Sequence, residues 1–136
     1  MNTNEPAQPK TEGDWEPITE LDLWDLIVKA EPRMNCEQRR LWSVIKIDPQ
    51  KWELTPFGDL DSGFWAVGLL GESVVWYNDI EDGFNISTYR SFGRIGEYWC
   101  NQDDLEHTVQ HLLDLIQGDF PVPKCGAPVA GPFTGK

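Results

Sequence analysis

Two histidines near the C-terminal end of the chain have a spacing that suggests metal chemistry. His107 and His111 are four residues apart, which on a helix brings two imidazoles within reach of one metal ion. The zinc-protease motif H-E-x-x-H is absent, because Glu106 precedes His107 instead of following it. Both histidines also lie opposite the apolar positions of the predicted final helix, where a solvent face belongs. We therefore predict no metal site.

Cys100 is the residue best placed to act as a nucleophile. It follows Trp99 and immediately precedes a predicted helix, where the helix dipole would stabilise a thiolate. Because both histidines are expected to point away from it, we predict an inert, partly buried thiol. With Cys36 and Cys125 the chain has three cysteines at unrelated spacings. This pattern indicates reduced thiols in a cytoplasm rather than a disulfide framework.

Carboxylates are frequent, but their spacing does not indicate a catalytic or calcium-binding site. The run Asp59–Gly63 offers oxygen ligands at alternate positions, yet Leu70 stands where a calcium loop needs a glutamate. Asp79, Glu81 and Asp82 are close together in a predicted exposed turn. Acid–base catalysis needs one carboxylate in an apolar pocket, where its pKa is raised. We predict neither catalytic residues nor a cofactor.

The same carboxylates contribute to a strong charge imbalance. Between Asp59 and Asp119 there are twelve acidic residues and two basic ones, Arg90 and Arg94, and the whole chain carries a formal net charge of −12. This half of the chain is also rich in aromatic residues: Phe64, Trp65, Trp76, Tyr77, Phe84, Tyr89, Phe92, Tyr98 and Trp99. A surface of this composition suits a basic partner.

Nucleic acids and anionic membranes are unsuitable partners for such a chain. Phosphate contacts require clustered Lys and Arg. The basic cluster here is small: Arg39, Arg40, Lys46 and Lys51. There is no apolar run of about 18 residues and no signal-peptide pattern. We therefore expect a cytoplasmic protein that binds neither nucleic acid nor membrane.

Hydrophobic periodicity and turn residues predict an α+β fold. The predicted elements are a helix (Thr19–Ala30), a strand (Leu41–Ile47) ended by Asp48-Pro49, a short extended piece (Lys51–Leu54), four further strands (Phe64–Leu70, Ser73–Tyr77, Phe84–Tyr89, Arg94–Tyr98) and a final helix (Gln102–Ile116). Thr19 and Asn101 are the predicted N-caps, and Gly71-Glu72 the predicted type II′ turn. The expected architecture is an antiparallel β-meander of four to five strands packed by an N-terminal and a C-terminal amphipathic helix.

The ends of the chain differ in composition from its middle. Residues 1–16 are polar and predict a disordered leader, and residues 121–136 are rich in Pro and Gly and predict a flexible tail. Residues 17–120 then form a single α+β domain.

Alternation along the strands places aromatic residues on both faces of the predicted sheet. Since one helix-covered core cannot absorb all of them, we predict an exposed aromatic and acidic patch that binds a partner. The predicted partner-binding residues are Trp76, Tyr77, Asp79, Glu81, Asp82 and Tyr89.

Two segments resemble a known functional class of proteins. The run Val75–Ser87 (VWYNDIEDGFNIS) and the run Tyr98–Leu105 (YWCNQDDL) resemble small bacterial proteins of the toxin-immunity type, the inhibitors carried beside polymorphic or contact-dependent toxins. The resemblance implies a cytoplasmic protein without catalytic residues that binds and blocks a toxin, which the acidity of this chain suggests is basic. Two alternatives stay open: a structural or adaptor protein that uses the same surface to form a homodimer, and a small enzyme whose site is assembled from distant residues.

Overall fold

The computed structural model describes residues 16–55, 57, 63–118 and 126. The predicted leader (apart from Glu16), the predicted tail (apart from Gly126) and most of the predicted Asp59–Gly63 turn lie outside these residues. The elements are α1 (Glu20–Ala30), α2 (Cys36–Ile45), β1 (Lys46–Trp52), β2 (Phe64–Leu70), β3 (Ser73–Asn78), β4 (Gly83–Thr88) and α3 (Leu105–Gly118). The strands form one antiparallel sheet in the order β1-β2-β3-β4. The predicted α+β class is confirmed.

Helix α1 forms as its sequence predicts. The Thr19 hydroxyl accepts a hydrogen bond from the Asp22 N–H at 3.1 Å, which satisfies one of the helix's unpaired donors. Leu23, Ile27 and Ala30 are buried on one face, and a short 3-10 turn, Glu31–Arg33, follows the helix.

The prediction of a strand at Leu41–Ile47 is wrong, because this segment belongs mostly to α2. The helix begins with a capping box in which Asn35 and Gln38 each bond the other's backbone N–H, at 2.8 and 2.9 Å. Gln38, Trp42 and Ile45 are buried at a helical spacing. The capped first turn and this spacing outweigh the β-propensity of the apolar residues.

Strand β1 extends through Asp48-Pro49, the point where we predicted a strand end. β1 is an edge strand, and its pairing with β2 is irregular between Lys46 and Gln50. Proline lacks an N–H, so an irregular edge strand is where a sheet tolerates it. The predicted extended piece Lys51–Leu54 overlaps the end of this strand.

Three of the four predicted meander strands are confirmed as β2, β3 and β4. Leu70 pairs with Ser73 across a two-residue turn, and Gly71 has the positive φ of 58° that this turn requires. The fourth predicted strand, Arg94–Tyr98, is a loop whose ladder contacts are limited to isolated bridges, among them Glu53 with Arg94.

Helix α3 begins at Leu105, three residues after its predicted start at Gln102. Asn101 is therefore not its N-cap: the Asn101 N–H donates to the Asn85 side chain and its amide group to Asp103. The predicted apolar face is otherwise correct, since Leu105, Val109, Leu112 and Leu113 are buried, although Ile116 is exposed.

Both faces of the sheet are covered, and the described residues form two apolar cores. The helices cover one face, where Val67, Val75, Tyr77, Phe84 and Ile86 contact them. The loop between β4 and α3 covers the other face, and the buried side chains there are Trp52, Leu54, Phe64, Ala66, Val74, Trp76, Ile80 and Ile95. Within the described part of the chain, no helix has the length and apolarity needed to cross a bilayer.

Candidate partner-binding surface

Trp76, the first of the predicted partner-binding residues, lies in the second core. Its side chain is fully buried beside Phe64, with ring centroids 4.9 Å apart. The indole N–H donates to the Ser87 hydroxyl at 2.9 Å, and this hydroxyl donates to the Glu97 carbonyl at 2.7 Å. Trp76 therefore supports the loop above it and does not reach the surface.

Three polar side chains on β3 and β4, which we call the polar clasp, hold that loop on the sheet: Asn78, Asn85 and Ser87. Asn78 donates to the Trp99 carbonyl at 3.0 Å. Asn85 donates to the Asn101 carbonyl at 3.1 Å and accepts from the Asn101 N–H at 2.8 Å. With Ser87 bonded to Glu97, the clasp binds the carbonyls of alternate loop residues. The loop thus satisfies its backbone without joining the sheet as a strand.

Tyr77 points to the opposite face and is also buried. Its ring contacts Phe84 with a centroid distance of 4.8 Å. Burial is the main cause that raises the pKa of its hydroxyl, and the negative charges of Asp82, Asp79 and Asp104 raise it further. The phenol therefore stays neutral, and three carboxylates from the β3–β4 turn and the α3 approach lie near it.

Asp79 ties helix α1 to the β3–β4 turn. It is 2% exposed, and its Oδ2 accepts a hydrogen bond of 2.7 Å from the Ile18 N–H. Ile18 directly precedes the N-cap Thr19. Because of this bond, the first turn of α1, with its acidic residues Glu20 and Asp22, starts beside the turn.

Glu81 and Asp82 are the accessible members of the predicted set in this turn. The Asn78 side-chain oxygen accepts hydrogen bonds from the N–H groups of Ile80 and Glu81, at 3.0 and 3.2 Å. Asp82 adopts a left-handed conformation with φ of 60°, which aspartate tolerates better than most residues. Asp82 is exposed and Glu81 is half-buried.

Tyr89 is half-buried and lies away from the three predicted residues of the β3–β4 turn, Asp79, Glu81 and Asp82. It follows the end of β4, whereas the β3–β4 turn precedes the start of that strand. A six-residue strand spans roughly 17 Å, so the two positions are at opposite ends of the sheet. The Tyr89 hydroxyl donates to the Gly71 carbonyl at 2.9 Å, and its ring meets Trp52 edge to face at 5.0 Å.

Five carboxylates lie on three elements that meet at Asp79 and Tyr77, and we call them the acidic edge: Glu20, Asp22, Glu81, Asp82 and Asp104. Four of the five are exposed and Glu81 is half-buried. The Ile18–Asp79 hydrogen bond holds the start of α1 beside the turn. Asp79 and Asp82 of the turn and Asp104 all lie close enough to the Tyr77 hydroxyl to raise its pKa. Such an edge attracts cationic groups and repels anions.

Two basic residues at the C-terminal end of α1 and just after it are engaged in ion pairs. Lys29 pairs with Asp25 at 2.9 Å. Arg33 bonds both carboxylate oxygens of Glu106, at 2.8 and 3.1 Å. Burial would raise the pKa of Glu106, but the hydrogen bonds and charge of Arg33, together with a backbone hydrogen bond and the neighbouring His107, hold this pKa below its usual range. Lys29 is therefore not paired with a residue of the edge, whereas the charge of Arg33 also interacts with that of Asp104.

The residues that could bind a metal or act as a nucleophile make contacts within the fold. Asp104, Glu106 and His107 place potential ligand atoms within 4.8 Å of one another, but a cation there would compete with Arg33 for Glu106. His111 Nδ1 lies 3.8 Å from an oxygen of Asp103. The Cys100 thiol donates to the Gly126 carbonyl at 3.3 Å. Since α3 starts five residues after Cys100, its dipole does not act directly on this thiol.

Sequence reasoning missed one exposed feature, an apolar stripe on α1. Leu21 is 78% exposed, Val28 57% and Trp24 38%. The signal was present in the composition of the helix, because seven of its eleven residues are apolar and one buried face cannot hold so many.

Comparisons of the chain with protein-family models, with curated proteins and with solved structures found no match.

Proposed function

We propose that this protein is a non-catalytic inhibitor that binds and neutralises a basic partner protein, as the immunity proteins of bacterial toxin systems do. The observation that supports the proposal is the acidic edge, where α1, the β3–β4 turn and the approach to α3 present five carboxylates together. A surface that only solubilised the protein would not need acidic residues from three elements at one place.

The proposed mechanism is electrostatic capture followed by occlusion. A toxin that acts on nucleic acid needs a basic groove for the phosphates of its substrate. The acidic edge would enter or cover this groove, because its carboxylates offer the cationic side chains an alternative to phosphate. Opposite fields also raise the association rate and disfavour wrong partners. Inhibition of this kind requires complementary charge and shape but no reactive group.

In this proposal the protein acts in the cytoplasm, where a toxin with a nucleic-acid substrate would do its damage. Its three cysteines would then stay reduced. The acidic edge shares only Glu81 and Asp82 with the partner-binding residues predicted from the sequence. In this proposal Glu81 and Asp82 contact the partner, as predicted. Trp76, Tyr77 and Asp79 are buried and would contribute only by holding the turn and the loop in place.

Co-expression with the product of the adjacent gene tests the proposal. We expect that product to arrest growth when it is expressed alone, and this protein to restore growth and co-purify with it as a complex. The double variant Glu81→Gln/Asp82→Asn should protect less well. Glu72→Gln is a matched control, because Glu72 is an exposed turn residue at the opposite end of the sheet. Equal protection by both variants, or no complex at all, would contradict the proposal.

A further inference from the structure

Helix α1 has a second apolar face that the fold does not use. Leu21, Trp24 and Val28 follow the spacing i, i+3, i+7, which aligns them along one side of a helix. The buried residues Leu23 and Ile27 belong to a different side. We call the exposed set the α1 stripe.

The α1 stripe forms a shallow groove with acidic walls. Its three side chains, together with Asp22 and Asp25, line a surface depression of about 380 Å³. The Trp24 indole N–H approaches the Glu20 carboxylate at 3.4 Å, which orients the ring along the helix. From Leu21 to Val28 the stripe extends for roughly 10 Å, or two helical turns.

Among the described residues, the other large exposed apolar side chains belong to separate elements. Val44 is 78% exposed on α2, Phe92 66% in the loop after β4 and Ile116 55% on α3, and single exposed residues of this kind are common. Three aligned ones, continuous with the acidic edge through Glu20 and Asp22, mark an interaction surface.

The carboxylates around the α1 stripe indicate which kind of partner could bind there. Two copies of this chain packed through the groove would bring together four carboxylates, Asp22 and Asp25 of each copy, with Lys29 as the one basic residue of each α1 helix. The nearby cation, Lys29, is already paired with Asp25. Like charges at close range would disfavour such a dimer, whereas a basic partner would find carboxylates on both sides of the groove.

We propose that the α1 stripe receives an amphipathic helix of the basic partner, with its apolar side chains in the groove and its Lys or Arg side chains against Glu20 and Asp22. This inference rests on the proposed function and adds a specific contact to it. The acidic edge attracts the partner, and the stripe supplies the apolar burial that slows its dissociation.

Two synthetic peptides of identical composition test the inference with the full chain. One is a Lys/Leu peptide whose leucines align on one helical face, and the other is a scrambled peptide whose leucines are dispersed. Binding is measured by titration calorimetry, and the contact is mapped by amide chemical shifts, including the Trp24 indole N–H. We expect the amphipathic peptide to bind at least tenfold more tightly than the scrambled one and to shift the signals of α1.

The variant Leu21→Gln/Val28→Gln keeps the charge and replaces exposed side chains, so the fold is preserved. It should weaken binding of the amphipathic peptide about tenfold. Val44→Gln is the matched control, since Val44 and Leu21 are equally exposed on helices, and it should leave binding unchanged. Equal binding of both peptides, an unaffected double variant, or shifts confined to another surface would overturn the inference while leaving the charge-based function standing. If neither peptide binds at low salt, the inference about the stripe also fails, whereas the proposed function fails only if co-expression gives no complex and no protection.

Discussion

Replacing Asn85 by alanine tests whether the polar clasp holds the loop over the second core. Asn85 is 2% exposed and exchanges two hydrogen bonds with the backbone of Asn101, at 2.8 and 3.1 Å. Leaving a buried donor or acceptor without a partner costs about 1–3 kcal/mol. Asn101 is only half-buried, so water recovers part of this cost. We expect Asn85→Ala to lower the free energy of unfolding by about 2–3 kcal/mol.

Urea denaturation followed by tryptophan fluorescence provides the assay. With an m-value of about 2 kcal/mol per molar urea, the midpoint should fall by about 1–1.5 M. Asn101→Ala is the control, because the clasp bonds the backbone of Asn101 and not its side chain, and we expect a loss of at most about 1 kcal/mol. The Asn101 amide should also exchange faster in Asn85→Ala. Equal destabilisation by the two variants, or unchanged exchange, would refute the role of the clasp.

Two further predictions concern stability. The pKa of Glu106 is lowered in the folded state, so the ionised carboxylate stabilises the fold above its unfolded pKa of about 4.3, and this stability is lost as the pH falls through the folded pKa. The difference in urea midpoint between wild type and Glu106→Gln should therefore shrink from pH 7 to pH 3.5. A difference that stays constant would contradict the ion pair with Arg33. A Cβ at Gly83 would lie 2.2 Å from the Asn101 carbonyl oxygen, whereas one at Gly71 would meet nothing within 4 Å. Gly83→Ala should therefore lower the free energy of unfolding by about 3 kcal/mol, and Gly71→Ala by about 1 kcal/mol, because of its positive φ alone. Equal losses of stability in thermal unfolding would contradict the close approach of the loop to β4.

The sequence predicted elements whose signals are local. Helix α1 has its cap Thr19, and the β2–β3 hairpin has Gly71 at the position where a positive φ is required. Helix α2 was missed although its signal was also local: the Asn35–Gln38 capping box was present, but the apolar residues after it were interpreted as a strand. Here a helical spacing of buried residues was mistaken for loose alternation.

The rest could not be predicted because it depends on contacts between distant residues. Ser87 and Asn85 show no pattern that indicates which backbone they bind, yet their bonds to Glu97 and Asn101 turn an expected strand into a covering loop. That loop buries Trp76, which the sequence had suggested as a surface residue. The acidic edge likewise needs the Ile18–Asp79 bond, which joins residues 61 positions apart.

The dependence of the association rate on salt tests the central claim most directly. Two unit charges 10 Å apart in water interact by about 0.4 kcal/mol, which changes a rate about twofold. Removing the charges of Glu81 and Asp82 should therefore slow association with the adjacent gene's product about fourfold at low salt. The effect should largely vanish at 0.15 M salt, where the screening length is about 8 Å. An association rate that is independent of salt, or a loss equally large for Glu72→Gln, would contradict capture by the acidic edge.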